Sequence, residues 1–320
     1  MSSSIVVIGS YVQDLTFRLP EFPKPGQTLI GNFQTGPGGK GSNQAVAAAR
    51  TGVKTRFIGA VGNDAFAKVA RDFHESEGID SHLFEKPEHA TGTAGILVND
   101  HGENEIVVAL GANGRLSAED LPETLISNAG IVVTQLESNL ESTHHALQFA
   151  KTNGVLALLN PAPMRDDFPV EMLNSVDILI PNETEFSQLL NTRFPETHGT
   201  FDETAINEMQ PQALHELCRS FKVPTFIITL GSKGCFVSTE ESFYFVDPIT
   251  NITVVDTTGA GDAFVGGFAS GMIQTGGDIR KAVGYGAIVG GLSVTRSGTA
   301  PAMPQKQEIL AQMEVSGFSI

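Results

Sequence analysis

The strongest constraint on the fold is a repeated alternation between short apolar segments and longer segments with helical periodicity. The apolar segments predict buried strands at residues 5–8, 56–58, 131–134, 155–159, 177–180 and 225–229. The segments between them predict helices at residues 43–50, 64–77, 141–153 and 206–221. Strands that alternate with helices predict an α/β fold with a mostly parallel sheet covered by helices on both faces. Ligands of such sheets bind beyond the carboxyl ends of the strands.

Two stretches break this alternation because they predict strands without an intervening helix. One is residues 28–34, and the other is the pair 93–98 and 105–110, joined by Asn99-Asp-His-Gly-Glu. They predict a small β-ribbon separate from the main sheet, with a plain hairpin as the alternative. Since no linker is long enough to separate two large domains, we expect one domain over residues 1–320, with a surface loop at 193–203.

The charge of the chain limits its partners. With 20 Lys and Arg against 36 Asp and Glu, the formal net charge is −16, which would repel a nucleic-acid backbone. A phosphorylated small molecule can still bind where backbone N–H groups, a helix N-terminus or a metal ion supplies positive potential. Cys218 and Cys235 form no disulfide or zinc pattern. Because no segment reaches the ~18 apolar residues of a membrane span and no signal peptide is evident, we expect a cytoplasmic protein without membrane contact.

The first glycine cluster, residues 36–43, reads Gly-Pro-Gly-Gly-Lys-Gly-Ser-Asn. It matches the G-x-G-x-x-G pattern of dinucleotide-binding proteins, but that fingerprint follows the first strand directly and this cluster lies about thirty residues later. It is not a Walker A loop either, because Lys40 is followed by Gly41. The run combines backbone without Cβ atoms, a cation at Lys40, an amide at Asn43 and a following helix. It therefore suits a site that binds several hydroxyls, with a ligand-free Gly-rich turn as the alternative.

The second cluster, residues 255–264, reads Val-Asp-Thr-Thr-Gly-Ala-Gly-Asp-Ala-Phe, where a strand pattern ends and small residues begin a helix. Successive N–H groups of Gly259, Ala260 and Gly261 would form a nest for an anion such as a phosphoryl group. Asp262 follows in the first helical turn, where one interpretation is that it only caps the helix. In the other, a carboxylate beside an anion nest accepts the proton of a hydroxyl that attacks the γ-phosphate.

Two further turns lie at the carboxyl ends of predicted strands. In Pro181-Asn-Glu-Thr-Glu185, the carboxylates either hold Mg²⁺ through water or stabilise the first turn of a helix. The turn Thr229-Leu-Gly-Ser-Lys-Gly234 is flexible enough to lie against a nucleotide. Each of these motifs alone is a common turn.

Together and in this order, the motifs resemble the ribokinase family of carbohydrate kinases over essentially the whole chain. Segment 38–45 is similar to the family's N-terminal sugar-binding signature, and segment 256–264 is similar to its C-terminal catalytic signature. Segments 135–137, 160–163 and 181–185 are similar to intermediate stretches of members that phosphorylate ribose. The resemblance implies a three-layer α/β/α sandwich with a mostly parallel central sheet. It also implies a small β-sheet lid formed by roughly residues 11–36 and 91–112.

The same resemblance implies a reaction and its cofactors. Family members use ATP and Mg²⁺ to phosphorylate the primary hydroxyl of a sugar, and members with similar motifs often bind an activating K⁺. Their lids pair with the lid of a second subunit, which implies a homodimer. We therefore expect transfer of the γ-phosphate of ATP to the 5-hydroxyl of a pentose, with ribose as the first candidate.

Roles for individual residues are also implied by the resemblance, position by position. The catalytic residues would be Asp262 as the base and Gly259, Ala260 and Gly261 as the anion hole. The residues that hold the sugar would be Asp14, Gly39, Lys40, Gly41, Asn43, Glu137 and Asp262. The residues along ATP would be Asn182, Thr229, Gly231, Ser232, Gly234 and Gly261. The metal residues would be Glu185 for Mg²⁺ through water, and Asp256, Thr258, Ser293, Arg296 and Gly298 for K⁺, mostly through backbone carbonyls.

Three positions depart from the family pattern. Val12 stands where members that act on ribose carry an Asn that contacts a ring hydroxyl, and similar members that act on 2-deoxyribose carry an apolar residue there. A 2-deoxyribose kinase is therefore the main alternative, followed by a nucleoside kinase or another sugar kinase. Ala302 replaces a Ser near the K⁺ site, and Ala287 replaces an Asn or His near the adenine. A non-catalytic sugar or nucleotide sensor belongs to a different class, and the presence of Asp262 beside the nest argues against it.

Overall fold

The computed structural model describes residues 3–197 and 201–320, which form thirteen β-strands and ten α-helices. The strands are β1 Ser4–Ile8, β2 Val12–Arg18, β3 Asn32–Gly38, β4 Lys54–Val61, β5 Asp80–Glu85, β6 Gly92–Val98, β7 Asn104–Ala109, β8 Ile131–Thr134, β9 Leu156–Leu159, β10 Ile178–Leu179, β11 Thr225–Thr229, β12 Cys235–Ser238 and β13 Phe243–Val246. The helices are α1 Lys40–Arg50, α2 Ala65–Ser76, α3 Glu123–Ser127, α4 Leu140–Thr152, α5 Glu183–Arg193, α6 Glu203–Glu208, α7 Pro211–Ser220, α8 Ala260–Gln274, α9 Ile279–Ser293 and α10 Lys306–Ser316. No helix in these two ranges combines the length and apolar character of a membrane span.

The larger sheet contains nine strands in the order β13-β12-β11-β10-β9-β8-β1-β4-β5. The seven strands from β11 to the β5 edge run parallel, while β12 and β13 are antiparallel. Alternate residues of β1 face opposite layers. Ile5 and Val7 pack in a core with α1, α2, α8, α9 and α10, whereas Val6 and Ile8 pack in a core with α3 to α7. The predicted three-layer α/β/α sandwich is confirmed.

The carboxyl ends of five neighbouring parallel strands carry the motifs that the sequence singled out. Gly9 follows β1, Gln135 follows β8, and Asn160 follows β9. The motifs after β10 and β11 come together at a parallel bridge between Asn182 and Thr229. Since parallel strands end at the same edge of a sheet, segments that are distant in sequence meet at this edge.

The smaller sheet has the strand order β3-β2-β6-β7 and is separate from the central sheet, as predicted. Its first strands differ from the prediction. Strand β2 was not predicted, and the strand predicted at 28–34 lies at Asn32–Gly38 instead. The two strands pair antiparallel over their whole length, from Val12 opposite Gly38 to Arg18 opposite Asn32. The bounds of β3 are therefore set by its partner strand rather than by the local apolar pattern.

The prediction of one helix over residues 206–221 was wrong. The structure has two helices, α6 and α7, separated by Met209 and Gln210 in extended backbone. Pro211 is the first residue of α7. Proline lacks a backbone N–H and fits the first position of a helix, but it cannot continue one without breaking the hydrogen-bond ladder. It therefore ends one helical segment and begins the next.

Two other segments differ from the sequence prediction. Residues 247–259, directly before α8, contain no strand: the N–H groups of Val255 and Asp256 both donate to the carbonyl of Val294, at 2.8 and 3.2 Å, and Val255 is exposed. The surface loop predicted at 193–203 is partly helical, because α5 extends to Arg193 and a short helical turn covers Pro195–Thr197. Residues 198–200 of this prediction lie outside the described residues.

Candidate active site

Asp262 lies in the first turn of α8 and is buried, with 6% of its surface exposed. The helix begins after Gly259, whose φ of 79° is in the left-handed region that favours glycine. The Asp262 carboxylate accepts hydrogen bonds from Asn43 Nδ2 at 3.0 Å and from Gln44 Nε2 at 2.9 Å. Asp262 therefore faces the first glycine motif, across 219 positions of sequence, rather than the N–H groups of its own helix.

The N-terminus of α8 supplies fewer anion donors than predicted. The N–H of Ala260 donates to the carbonyl of Thr257 at 3.2 Å and is already used. The N–H groups of Gly259 and Gly261 remain the predicted donors of the nest. A Cβ atom built on Gly261 would have no neighbouring atom within 4 Å, so this residue faces open space.

The first glycine motif packs against the loop that follows β1. A Cβ atom on Gly39 would lie 2.7 Å from the backbone nitrogen of Val12, and one on Gly41 would lie 2.7 Å from that of Ser10. The glycines were expected to let a ligand approach the backbone, but at these two positions they let one protein segment approach another. Helix α1 begins at Lys40, three residues before its predicted start.

Two further carboxylates lie beside this motif. Glu137 Oε2 accepts hydrogen bonds from the Ser10 hydroxyl at 2.7 Å and from the Lys40 N–H at 2.9 Å. Burial raises the pKa of Asp14 to about 7, and the negative charge of Glu137 contributes to the shift. The Thr299 hydroxyl donates weakly to Asp14 Oδ2 at 3.5 Å. This concentration of acceptors favours ligands that bring hydroxyl donors.

Lys40 is the cation among these carboxylates. Burial disfavours its ammonium group, but the charges of Asp262, Glu137 and Glu185 raise the pKa of Lys40 above its ordinary value. Burial also raises the pKa of Glu185 to about 7, although a hydrogen bond from Asn182 and the charge of Lys40 oppose this. Asn182 and Glu185 cap α5 reciprocally, each side chain accepting from the other's N–H, at 2.8 and 2.9 Å.

A cavity of about 160 Å³ joins residues from both glycine motifs with residues from the turns after β10 and β11. Its lining consists of Lys40, Asn160, Ala162, Ile180, Asn182, Glu185, Thr229, Gly259, Gly261, Asp262 and Val265. One cavity therefore connects the predicted sugar side, the predicted base and the predicted nucleotide side.

Sequence reasoning did not single out Gln44 and Asn160 as site residues. Gln44 Nε2 donates to Asn160 Oδ1 at 3.0 Å as well as to Asp262. Asn160 directly follows a buried strand, and this position is a signal that could have identified it. The sequence around Gln44 gives no such signal, because a glutamine in a helix of small residues can face either solvent or the protein interior.

Comparison with known proteins agrees with this arrangement of motifs. The family model named pfkB family carbohydrate kinase matches residues 2–306. The chain belongs to this family. The resemblance read from the sequence is thereby confirmed, and with it the assignment to the carbohydrate kinases.

Individual relatives of this carbohydrate kinase match over nearly the whole chain. The ribokinase of Haemophilus influenzae is 36% identical over 318 residues, which cover 98% of this chain and 99% of that protein. The deoxyribokinase of Salmonella typhi is also 36% identical, over 308 residues that cover 95% and 96% of the two chains. The structure of Arabidopsis thaliana ribokinase complexed with ribose and ATP has a TM-score of 0.83 and 31% identity, with 98% and 99% coverage.

Val12 of the kinase lies on the same face of β2 as Asp14, because alternate residues of a strand point to the same side. The Asp14 carboxylate lies over Gly38, where a Cβ atom would overlap it. Val12 is itself 2% exposed and adjoins Gly39 of the first motif. The position that departs from the family pattern is therefore close to the predicted sugar side of the site.

The residues expected to hold K⁺ are brought together only in part. Asp256 accepts hydrogen bonds from the N–H groups of Thr258 and Gly298, at 2.9 and 3.1 Å. Although burial opposes the shift, these bonds lower the pKa of Asp256. The hydroxyl of Ser293 donates to a carbonyl of α9, and the guanidinium of Arg296 donates to a carboxylate of α10. The Ser293 hydroxyl keeps lone pairs that a cation could use, whereas the Arg296 guanidinium has none, which leaves the backbone carbonyl of Arg296.

No group of three or more His, Cys, Asp or Glu side chains in the described ranges forms a metal cluster. For K⁺ the relevant donors are one carboxylate and backbone carbonyls, and for Mg²⁺ they are a single carboxylate and water. Neither donor set requires a cluster of three such side chains.

A second cavity, of about 550 Å³, lies beside the turn that follows β11. Gly234 of this turn packs so closely on the backbone of Val246 that a Cβ atom would overlap the carbonyl. Pro248 and Ala287 are among the residues that line the cavity. Ala287 was expected near the adenine, and its place in this wall is compatible with that expectation.

Proposed function

We propose that this kinase transfers the γ-phosphoryl group of ATP to the primary 5-hydroxyl of a pentose, with ribose as the first candidate. The observation that carries the proposal is the cavity in which Asp262 meets Lys40 on one side and Asn182 and Glu185 on the other. The relatives named ribokinase, one of them with ribose and ATP bound, support the choice of substrates.

Asp262 is the proposed general base. Its two amide partners leave carboxylate lone pairs for a hydroxyl proton. As the sugar oxygen forms its bond to the γ-phosphorus, the bond to the ADP oxygen breaks and the proton passes to Asp262. The N–H groups of Gly259 and Gly261 stabilise the oxygens of the transferring group, where one such donor is typically worth about 3 to 4 kcal/mol of barrier.

The sugar-binding residues are proposed to be Asp14, Gly39, Lys40, Gly41, Asn43 and Glu137. Asn43 supports this assignment through an unused acceptor. It is buried, its Nδ2 donates to Asp262, and its Oδ1 has no hydrogen-bond partner among the described residues. Because a buried acceptor without a partner costs about 1–3 kcal/mol, a sugar hydroxyl that donates to it would gain affinity.

The nucleotide is proposed to lie along Asn182, Thr229, Gly231, Ser232, Gly234 and Gly261, with its base in the 550 Å³ cavity beside Ala287. Glu185 fits Mg²⁺ held through water, because a nearby cation would favour the ionised form of this buried carboxylate, whose pKa is raised to about 7. Mg²⁺ supplies positive charge to the β- and γ-phosphate oxygens when bound.

K⁺ is proposed to bind near Asp256, Thr258, Ser293, Arg296 and Gly298. The fit rests on Asp256, whose lowered pKa keeps it ionised at neutral pH, and on backbone carbonyls of the other residues. Oxygen donors of this kind suit hard cations. The adjacent anion nest would then be supported by a nearby positive charge.

The smaller sheet is proposed to act as a lid over the sugar and as the contact to a second copy of the chain. Its exposed apolar side chains support a protein contact: Phe17 and Phe33 have ring centroids 5.1 Å apart, and Val107 is 76% exposed. Lid closure over a bound sugar would exclude water and suppress ATP hydrolysis. We place the enzyme in the cytoplasm, where ATP is available, and expect a dimer in sedimentation measurements.

The proposed function is tested by ADP release with ribose, 2-deoxyribose, fructose and adenosine, each with and without K⁺ and with Mg²⁺ throughout. Ribose is expected to give the highest kcat/KM, and omission of K⁺ is expected to lower it. If kcat/KM is highest with 2-deoxyribose, the proposed mechanism still holds, and the preference for 2-deoxyribose is attributed to Val12. An absence of ADP release with all four compounds would contradict the proposal and favour a sensor.

Deoxyribose is the second candidate because of Val12 and the Salmonella relative. The change Val12→Asn is expected to raise the kcat/KM ratio of ribose to 2-deoxyribose about tenfold, since one hydrogen bond to a ring hydroxyl is worth about 1 kcal/mol or more. Steady-state kinetics with both sugars measures the ratio. Val12→Leu is the control, because it changes size without adding an amide, and an unchanged ratio in Val12→Asn would show that residue 12 does not face the ring.

Sugar affinity is expected to rise with pH. The ionised carboxylate of Asp14 accepts hydrogen bonds from sugar hydroxyls, but burial raises its pKa to about 7, so below that pH the proton must be lost on binding. The sugar Kd, measured by calorimetry without nucleotide, is therefore expected to increase by up to about tenfold per unit as the pH falls below 7. Asp14→Asn should lose this dependence and Glu185→Gln should keep it, whereas a pH-independent Kd in the unmodified protein would contradict the role of Asp14.

A further inference from the structure

A row of buried amide side chains leads to Asp262 from the opposite edge of the site. Gln135 Nε2 donates to Gln44 Oε1 at 2.7 Å, and Gln44 Nε2 donates to Asp262 Oδ1 at 2.9 Å. Gln44 Nε2 also donates to Asn160 Oδ1 at 3.0 Å, and Asn160 Nδ2 donates to the Ile180 carbonyl at 2.8 Å. Gln44 and Gln135 are completely buried, and Asn160 is 8% exposed.

The orientation of every amide in this row is determined from its ends. The carbonyl of Ile180 can only accept a hydrogen bond, so the NH₂ group of Asn160 must face it and Asn160 Oδ1 must face Gln44. Gln44 must then present its NH₂ group to Asn160 and Asp262, and its oxygen to Gln135. The row therefore has one polarity, in which the NH₂ group of Gln44 donates to the Asp262 carboxylate.

The position of Gln135 depends on Gly9, which follows strand β1. A Cβ atom on Gly9 would overlap Gln135 Oε1. That oxygen has no hydrogen-bond partner among the described residues, so the hydrogen bond that orients the Gln135 amide is the one donated to Gln44. A buried acceptor without a partner costs stability. The Gln135 amide is therefore oriented by the hydrogen bond that its Nε2 donates, at the cost of leaving its oxygen without a partner.

Asp262 is consequently held at both carboxylate oxygens. Gln44 donates to Oδ1, and Asn43 donates to Oδ2 at 3.0 Å. Asn43 belongs to the proposed sugar site, whereas Gln44 is completely buried and does not line the cavity. Two fixed donors restrict rotation of the carboxylate plane and leave the remaining lone pairs in a defined direction.

We infer that Gln44 is a positioning residue for Asp262 and that Gln135 acts on the same carboxylate through Gln44. This inference rests on the proposed function of Asp262 as general base. It predicts that both glutamines influence kcat more than sugar binding, although neither of them lines the cavity.

The test is a double-mutant cycle with Gln44→Met and Gln135→Met, which keep side-chain length and remove the amides. We expect Gln44→Met to lower kcat about thirtyfold and Gln135→Met about tenfold, because small displacements of a catalytic group reduce turnover strongly. The KM for sugar should change less than threefold or so in both. Since Gln135 acts through Gln44, Gln135→Met in the Gln44→Met background should cause no further loss of kcat.

Gln148→Met is the matched control, because Gln148 is exposed on α4, on the other face of the sheet. Gln44→Leu is a second variant, for use if Gln44→Met does not fold: leucine has no donor for Asp262, so kcat should fall at least as far. Multiplicative losses in the double variant, or equal losses in kcat and sugar affinity, would overturn the inference. Absence of kinase activity in the unmodified protein would instead contradict the proposed function.

Discussion

Replacement of Asp262 by asparagine is expected to lower kcat about a thousandfold, within the range typical for removal of a general base. Asparagine keeps the size of the side chain but cannot take up the proton of the sugar hydroxyl. The Kd for sugar should change by less than about fivefold, because the contacts proposed for Asp14, Glu137 and Lys40 remain in the variant. ADP release measures the first effect, and calorimetry without nucleotide measures the second.

Asp72→Asn serves as the control for Asp262→Asn, since Asp72 is exposed on α2 and pairs with Lys68 on the same helix. It should leave turnover unchanged. Comparable turnover in Asp262→Asn and the unmodified protein would exclude Asp262 as the base. A parallel loss of sugar binding and turnover would instead assign Asp262 a role in binding.

The sequence was sufficient to predict the layers of the fold and the end of the sheet that carries the site. Buried parallel strands are apolar along their whole length, so β1, β8 and β11 stand out from the chain. The start of α8 was also predictable within a residue, because Gly259 has the left-handed backbone that a glycine-rich turn suggests. These are local signals that depend on a few adjacent residues.

The parts that could not be predicted depend on partners that are distant in sequence. Strand β2 has an unremarkable local pattern and is defined by its pairing with β3 and β6. The glycines at positions 39 and 41 were expected near a ligand, but their neighbours are backbone atoms of the loop after β1. The direction of Gln44 follows from Asn160 and Asp262, which are 116 and 218 positions away.

Two glycines of α8, Gly261 and Gly266, allow an effect on phosphoryl transfer to be distinguished from an effect on helix packing. A Cβ atom on Gly261 would meet no atom within 4 Å, and Gly261 lines the cavity of about 160 Å³ that also contains Asp262. A Cβ atom on Gly266 would lie 2.5 Å from the carbonyl oxygen of Gln44 and 2.7 Å from Ala47 Cβ. Substitution of the first glycine should therefore affect the bound phosphoryl group, and substitution of the second should affect the contact between α1 and α8.

Gly261→Val is expected to lower kcat/KM about a hundredfold, because its side chain would occupy the space proposed for the γ-phosphoryl group and would displace that group from in-line geometry. Its free energy of unfolding should change by less than about 1 kcal/mol, since valine has no worse helix propensity than glycine. Gly266→Ala is expected to show the opposite pattern, with a loss of about 1–3 kcal/mol of stability from overpacking. Chemical denaturation and steady-state kinetics on both variants measure the two quantities. Full activity in a folded Gly261→Val variant would place the phosphoryl transfer away from the N-terminus of α8, and with it the assignment of Asp262 as the neighbouring base would fail.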